Sequence, residues 1–126
     1  AEAIAALLAH VHRHGQYNIL VSRFEQADQN SLRAVYDAVK TRIDHGIIAF
    51  VSDDDEKISL MIALTHDMRA CPLSADVMMK ELLKVFPGSG GGRTEMAFGG
   101  IMNCGRISEV LTAIESVVVS QLKVCS

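Results

Sequence analysis

The spacing of apolar residues switches along the chain between patterns typical of strands and patterns typical of helices. Tyr17 to Phe24 is rich in β-branched and aromatic residues and predicts a first strand. Apolar residues at helical spacing come next and predict a helix that stops at Gly46. These residues are Leu32, Val35, Tyr36, Val39 and Ile43. This part of the chain is therefore predicted to run from a strand into a helix.

Two further β-rich runs, Ile47 to Ser52 and Lys57 to Thr65, lie on either side of the acidic segment Asp53 to Glu56. Two such runs across a short polar tip predict an antiparallel hairpin. The second run contains ISLMIAL, which is apolar at successive positions rather than at alternate ones. We therefore expect it to be a central strand covered on both faces.

A second helix is predicted after the hairpin, with Ser74 as its cap and Pro87-Gly88 at its end. Its inward positions are Met78, Leu82 and Phe86. Ala97 to Ile101 then predicts a short strand, and a closing helix follows from Ile107 onward, with its start left open between Asn103 and Ser108. The predicted fold class is α/β, with a mixed sheet of about four to five strands flanked by helices.

The N-terminal segment Ala1 to His14 also carries apolar residues at helical spacing, and Gly15 follows it. These apolar residues are Ile4, Leu7, Leu8 and Val11. We predict a helical stub, the end of a linker over residues 1–15, ahead of a globular domain over residues 16–126. A short helix needs its apolar face buried, so we expect it to pack against the domain or a second copy.

Composition limits the possible functions of this 126-residue chain, whose length suits a single domain. No apolar run reaches the roughly 18 residues that a membrane span needs. The three cysteines lack CxxC spacing, which argues against a zinc site or disulfide framework and favours a reducing, cytoplasmic setting. The formal charge of -3 counts against an autonomous nucleic-acid binder. Any RNA contact must therefore come from a local basic patch.

Candidate catalytic and metal-binding groups do not combine into a site in this sequence. His10 and His14 share a helix face but lack a third ligand, and Asp53 to Glu56 lacks the spacing of a calcium loop. His66 and Asp67 are adjacent and would point to opposite faces of an extended chain. Ser74 is better explained as a helix cap than as a nucleophile. We predict no catalytic residue, no metal site and no cofactor.

The segment from Gly88 to Gly100, GSGGGRTEMAFGG, is the strongest local signal. It lacks the Gly-Lys-Ser/Thr of a P-loop, and no Gly-x-Gly-x-x-Gly frame fits it. One interpretation is a loop with several positive-φ glycines that points its amides at a phosphate beside the Arg93 guanidinium. The other is that the glycines only permit a tight turn and close packing.

The same segment, placed between a capped helix and a final amphipathic helix, resembles the GGxGGGRxxMAxxGG signature of the C-terminal domain of alanyl-tRNA synthetases. ILVS at Ile19 to Ser22 and ISL at Ile58 to Leu60 extend the resemblance, which covers about Gln16 to Leu122. Pro87 replaces the first glycine of the signature. Related domains of DHH phosphoesterases carry a GGGH-type loop. Arg93 stands where that histidine would be, which favours the synthetase branch.

The resemblance implies a non-catalytic module of a ligase that binds alanine tRNA at its corner and helps aminoacylation and editing share one tRNA. It also implies the rest of the synthetase as a partner, and self-association through the N-terminal helix. Basic residues beside the glycine segment complete the predicted RNA-binding set, which is Gly88, Gly90, Gly91, Gly92, Arg93, Arg69, Lys80 and Lys84. The alternatives are a substrate-binding accessory domain of a DHH-type phosphoesterase and a dimerisation module.

Overall fold

A computed structural model of the chain describes residues 11–14, 17–25, 29–43, 46–53, 56–65, 74–86, 88–93, 95–102, 105 and 107–125. Within these ranges the strands are β1 (His12–His14), β2 (Tyr17–Glu25), β3 (Gly46–Asp53), β4 (Lys57–Leu64), β5 (Gly88–Gly92) and β6 (Met96–Met102). The helices are α1 (Gln29–Val39), α2 (Ala75–Val85) and α3 (Ile107–Cys125).

The six strands form one sheet in the order β1-β2-β3-β4-β6-β5 over the described ranges. β2 and β3 are parallel, and every other neighbouring pair is antiparallel. The long polypeptide between β2 and β3 contains α1, as a parallel connection requires. The predicted mixed sheet flanked by helices is therefore confirmed. It contains two strands, β1 and β5, that the apolar pattern did not predict.

Helices cover both faces of the sheet and create two apolar cores. On one face α1 contributes Leu32, Tyr36 and Val39, which pack with Leu20 and Phe50 from the sheet. On the other face α2 and α3 pack together over the larger core, which the alternate residues of the same strands complete. β3 and β4 lie in the middle of the sheet and are buried along almost their whole length. The prediction that ISLMIAL is a central, doubly covered strand is confirmed.

The second predicted helix is also confirmed, together with its cap. Ser74 has an extended backbone, and its hydroxyl oxygen accepts a hydrogen bond from the Val77 amide at 3.4 Å. This bond satisfies one of the amides that a helix start leaves without an intrahelical acceptor. Phe86 follows the last turn and is buried in the larger core. The helix packs along the half of the sheet that contains β5 and β6.

The prediction that the N-terminal helix extends through His14 is wrong at His12–His14, which form β1. This strand pairs antiparallel with β2, with His12 opposite Ile19 and His14 opposite Tyr17. Pairing satisfies backbone groups that β2 would otherwise present at a sheet edge, an advantage that helical spacing does not report. Val11 packs against the α1 side of the sheet. The rest of the predicted helical stub, residues 1–10, lies outside the described residues, and so does Gly15.

A bidentate ion pair joins the parallel strands β2 and β3. Arg23 donates from Nε and Nη2 to the two carboxylate oxygens of Asp53, both at 2.8 Å. The hydrogen bond from Arg23 is the main cause that lowers the pKa of Asp53 below its ordinary value of 3.8. Because the folded pKa is the lower one, the stabilisation is present at neutral pH and is lost as the pH falls through that folded value.

We expect Asp53→Asn to lower the free energy of unfolding at neutral pH by less than about 1 kcal/mol, as is usual for a surface pair. The difference from the unmodified chain should shrink on acidification, because both proteins then lack the carboxylate charge. Urea unfolding at neutral and acidic pH measures it. A difference that does not depend on pH would mean that the Asp53 charge is not the cause.

No helix among the described residues is both long enough and apolar enough to cross a membrane.

Candidate nucleic-acid interface

The glycine segment is a strand rather than a loop of consecutive positive-φ residues. Gly88–Gly92 forms β5, which pairs antiparallel with β6 and lies at one edge of the sheet. Within β5 only Gly91 has a positive φ, at +154°. The hypothesis of a nest with several left-handed glycines is therefore wrong. Close packing, the other interpretation, is what the structure contains.

The close packing is between the backbones of β5 and β6. A Cβ atom added to Gly90 would lie 2.6 Å from the Cα atom of Gly99 and 2.7 Å from the carbonyl oxygen of Phe98. Gly88 and Gly92 face the partner backbone at similarly short range. Side chains at these three positions would force the strands apart, so the pairing itself requires glycine at each of them.

An aspartate carboxylate accepts a hydrogen bond from the backbone amide at the end of β5. The Gly92 amide donates a hydrogen bond to Oδ1 of Asp76 at 3.1 Å, and Oδ2 of the same side chain pairs with Lys80 Nζ at 3.0 Å. The hydrogen bond from Lys80, and next that from Gly92, lower the pKa of Asp76 below its ordinary value. The carboxylate is therefore charged at neutral pH. These contacts join the end of β5 to the first two turns of α2.

The predicted basic residues of α2 both lie on the exposed side of that helix, and each has an acidic partner. Lys80 pairs with Asp76, and Lys84 Nζ pairs with Glu81 at 2.9 Å. The lysine side chains remain 64% and 70% exposed, so a polyanion can still reach them. Exposed pairs of this kind are weak and easily exchanged. The structure thus links Lys80 to β5 through Asp76, and Lys80 is paired with that carboxylate.

Arg93 directly follows β5 and is exposed. Its amide donates to the carbonyl oxygen of Met96 at 2.8 Å, which closes the turn into β6. The backbone of Arg93 is therefore held in place next to Gly92. Arg69, the remaining basic residue of the predicted set, lies outside the described residues.

An open groove of about 580 Å³ lies along β5 and β6. Besides glycines, its lining includes Lys57, Ser89, Phe98 and Met102. Phe98 is half-buried, and Met102 is 75% exposed. Sequence reasoning did not single out these side chains. The sequence signal that could have identified the groove is the alternation in MAFGGIM, because Phe98, Gly100 and Met102 are two residues apart and share one face of a strand.

Within the described ranges, no three His, Cys, Asp or Glu side chains are close enough together to hold a metal ion. The end of β5 instead has the Gly92 amide, with Arg93 next in the chain and Lys80 linked to it through Asp76. These groups bind phosphate oxygens without a metal.

The family model of the DHHA1 domain matches residues 16–120. The chain belongs to the DHHA1 domain family. This DHHA1 domain is 32% identical over 108 residues to the alanine–tRNA ligase of Alkaliphilus oremlandii. The match covers 86% of the chain but only 12% of the length of that ligase. The resemblance to alanyl-tRNA synthetases found in the sequence is thereby confirmed.

Solved structures of other proteins have a similar fold. The C-Ala domain of alanyl-tRNA synthetase from Aquifex aeolicus superimposes with a TM-score of 0.73 at 22% identity, covering 85% of this DHHA1 domain and 96% of that chain. RecJ from Thermus thermophilus, solved in complex with Mg²⁺, gives a TM-score of 0.66 at 13% identity and covers 94% of this chain and 17% of RecJ. At these identities the likeness concerns the fold alone.

Proposed function

We propose that this DHHA1 domain is the non-catalytic tRNA-binding module of an alanine–tRNA ligase. In this proposal it contacts the corner of alanine tRNA and helps the rest of the synthetase to share that tRNA between aminoacylation and editing. The RNA-binding set is the one predicted from the sequence, namely Gly88, Gly90, Gly91, Gly92, Arg93, Arg69, Lys80 and Lys84. A reducing, cytoplasmic setting suits this role.

The observation that carries the proposal is the contact between the end of β5 and the polar side of α2. Gly92 and Asp76 are joined by a hydrogen bond, and Lys80 is joined to Asp76 by an ion pair. Arg93 follows Gly92 in the chain, which supplies a second cation next to the strand end. Recognition through such groups concerns the phosphate backbone and its shape rather than base sequence.

The acidic neighbours of the lysines predict weak and strongly salt-dependent binding. Asp76 and Glu81 offset the charges of Lys80 and Lys84, and the whole chain carries a formal charge of -3. With four cations, counterion release gives a slope of log K against log salt of about -3 to -4. The domain should therefore bind tRNA well only when other contacts hold the tRNA nearby.

Arg93→Glu tests the proposal directly. We expect this change to weaken the binding of every tRNA alike and to reduce the magnitude of the salt slope by about one or more. The melting temperature should be unchanged, because the Arg93 side chain is exposed and only its backbone closes the turn. Fluorescence anisotropy of labelled alanine tRNA at several salt concentrations measures both quantities.

Arg33→Glu is the matched control, because it makes the same charge reversal at an exposed position on α1, on the opposite face of the sheet. It should leave most of the salt slope intact. Equal losses in the two variants would mean that net charge alone governs binding. Undiminished binding by Arg93→Glu would mean that the RNA-binding surface lies elsewhere on the domain.

Self-association through the N-terminal segment remains a prediction, because residues 1–10 lie outside the described residues.

A further inference from the structure

We propose that the Asp76 carboxylate occupies a phosphate position in the free protein, and that a tRNA phosphate must displace it from the Gly92 amide and from Lys80. This displacement rests on the proposed function, because it concerns the same surface. It makes Asp76 a residue that decides which anions the surface accepts.

The geometry of the contact is that of a bound oxyanion. The two carboxylate oxygens of Asp76 separately engage a backbone amide at 3.1 Å and an ammonium group at 3.0 Å. Two oxygens of a phosphate group can be held by the same pair of donors, because backbone amides and lysines are both common phosphate ligands. Asp76 therefore satisfies donors that would otherwise be available to a phosphate.

The backbone beside Gly92 leaves room for this exchange. A Cβ atom on Gly91 would lie 3.1 Å from Oδ1 of Asp76, and the φ of +154° at Gly91 is one that other residues rarely adopt. Any side chain at position 91 would therefore crowd the carboxylate. The bare backbone leaves the oxygen binding position open on that side.

The Asp76 carboxylate can move away from the Gly92 amide. While it stays in place, its charge disfavours the binding of small anions. The Asp76 side chain is 24% exposed and belongs to the first turn of a surface helix, so a rotamer change can carry its charge into solvent. Until then its negative charge repels an approaching phosphate. A single phosphate gains too little from one amide and one lysine to displace it, whereas a polyanion that also engages Arg93 gains more. The surface thereby favours nucleic acid over free phosphate.

The test compares Asp76→Ala and Asp76→Asn with the control Asp37→Ala in the 126-residue chain. Asp37 pairs with Lys40 at 3.0 Å on α1, so its removal changes net charge and breaks an equivalent ion pair on the opposite face. Because a phosphate no longer has to break the Asp76 ion pair once Asp76 is replaced by alanine, the affinity for tRNA at 50 mM salt should increase by about two- to fivefold over the unmodified chain, the usual contribution of an exposed pair. We expect this increase for Asp76→Ala and not for Asp37→Ala. Asp76→Asn keeps an oxygen for the Gly92 amide and should fall between them.

A second measurement follows the Gly92 amide itself by ¹H-¹⁵N NMR during titration with inorganic phosphate. The amide signal should shift saturably in Asp76→Ala and stay unmoved in the unmodified chain. The inference is overturned if Asp76→Ala and Asp37→Ala bind tRNA with equal affinity at 50 mM salt, or if the Gly92 amide signal of Asp76→Ala does not shift on addition of phosphate. If no variant binds tRNA, the proposed function is overturned, and the phosphate titration alone decides whether Asp76 holds an anion position.

Discussion

Phe50→Ala is expected to lower the free energy of unfolding by about 3–5 kcal/mol, the usual cost of removing a buried phenylalanine. Phe50 has no exposed surface and lies in the middle of β3, between β2 and β4. Its ring also meets that of Phe24 edge to face, with centroids 5.2 Å apart. The deletion would leave a cavity under α1 that the central strands cannot close by moving, since each is paired on both sides.

Urea unfolding followed by circular dichroism measures this loss, and Phe98→Ala serves as the control. Phe98 is the same residue type on a strand of the same sheet, but it is half-buried beside the open groove. Its removal should cost clearly less, because part of the ring is already in water. Phe98 packs at the edge of the same core, so equal losses for the two variants would mean that Phe50 is no more deeply buried than Phe98.

Gly90→Ala is expected to cost about 1–3 kcal/mol, although it adds a single methyl group. The atoms that it would meet, the Gly99 Cα atom at 2.6 Å and the Phe98 carbonyl oxygen at 2.7 Å, belong to the backbone of β6 and cannot rotate away. The change should therefore separate β5 from β6. It should weaken tRNA binding as well, because Gly92 ends that strand and Arg93 directly follows it.

Gly100→Ala is the matched control on β6. An added Cβ atom at Gly100 would have its nearest neighbour at 3.8 Å, an ordinary contact with the carbonyl oxygen of Ile58. This variant should be neutral or slightly stabilised, since alanine restricts the unfolded chain more than glycine does. Thermal melting of the two variants separates the effects. A Gly90→Ala protein as stable as the Gly100→Ala protein would contradict the close approach of β5 and β6.

The parts of the fold that sequence reasoning predicted correctly are those in which local pattern and tertiary environment agree. ISLMIAL is apolar at successive positions because β4 is covered by helices on both faces. Ser74 caps α2 through an oxygen that reaches an amide three residues along the chain. Both signals are contained within a few residues, so no knowledge of distant segments was needed to interpret them.

The parts that were predicted wrongly depend on partners that are distant or chemically inconspicuous. β1 was assigned to a helix because its neighbours have helical spacing, whereas its conformation is decided by pairing with β2. β5 has almost no side chains, so neither propensity nor alternation could mark it as a strand. Five residues rich in glycine become a strand only because β6 supplies the hydrogen bonds.

The sequence by itself determined the family, the α/β class and the candidate RNA-binding set, because a glycine-rich signature and apolar spacing are properties of adjacent residues. Only the tertiary structure decided what the candidate residues touch. Asp76 and Gly92 are separated by 16 positions, and their contact exists because α2 packs along β5. Because of that packing, the Asp76 carboxylate accepts a hydrogen bond from the Gly92 amide, which nothing in the sequence pattern indicates. The ion pairs of Lys80 and Lys84 follow from helical spacing within α2, whereas the contact between Asp76 and Gly92 depends on tertiary packing and could not be predicted from the order of residues.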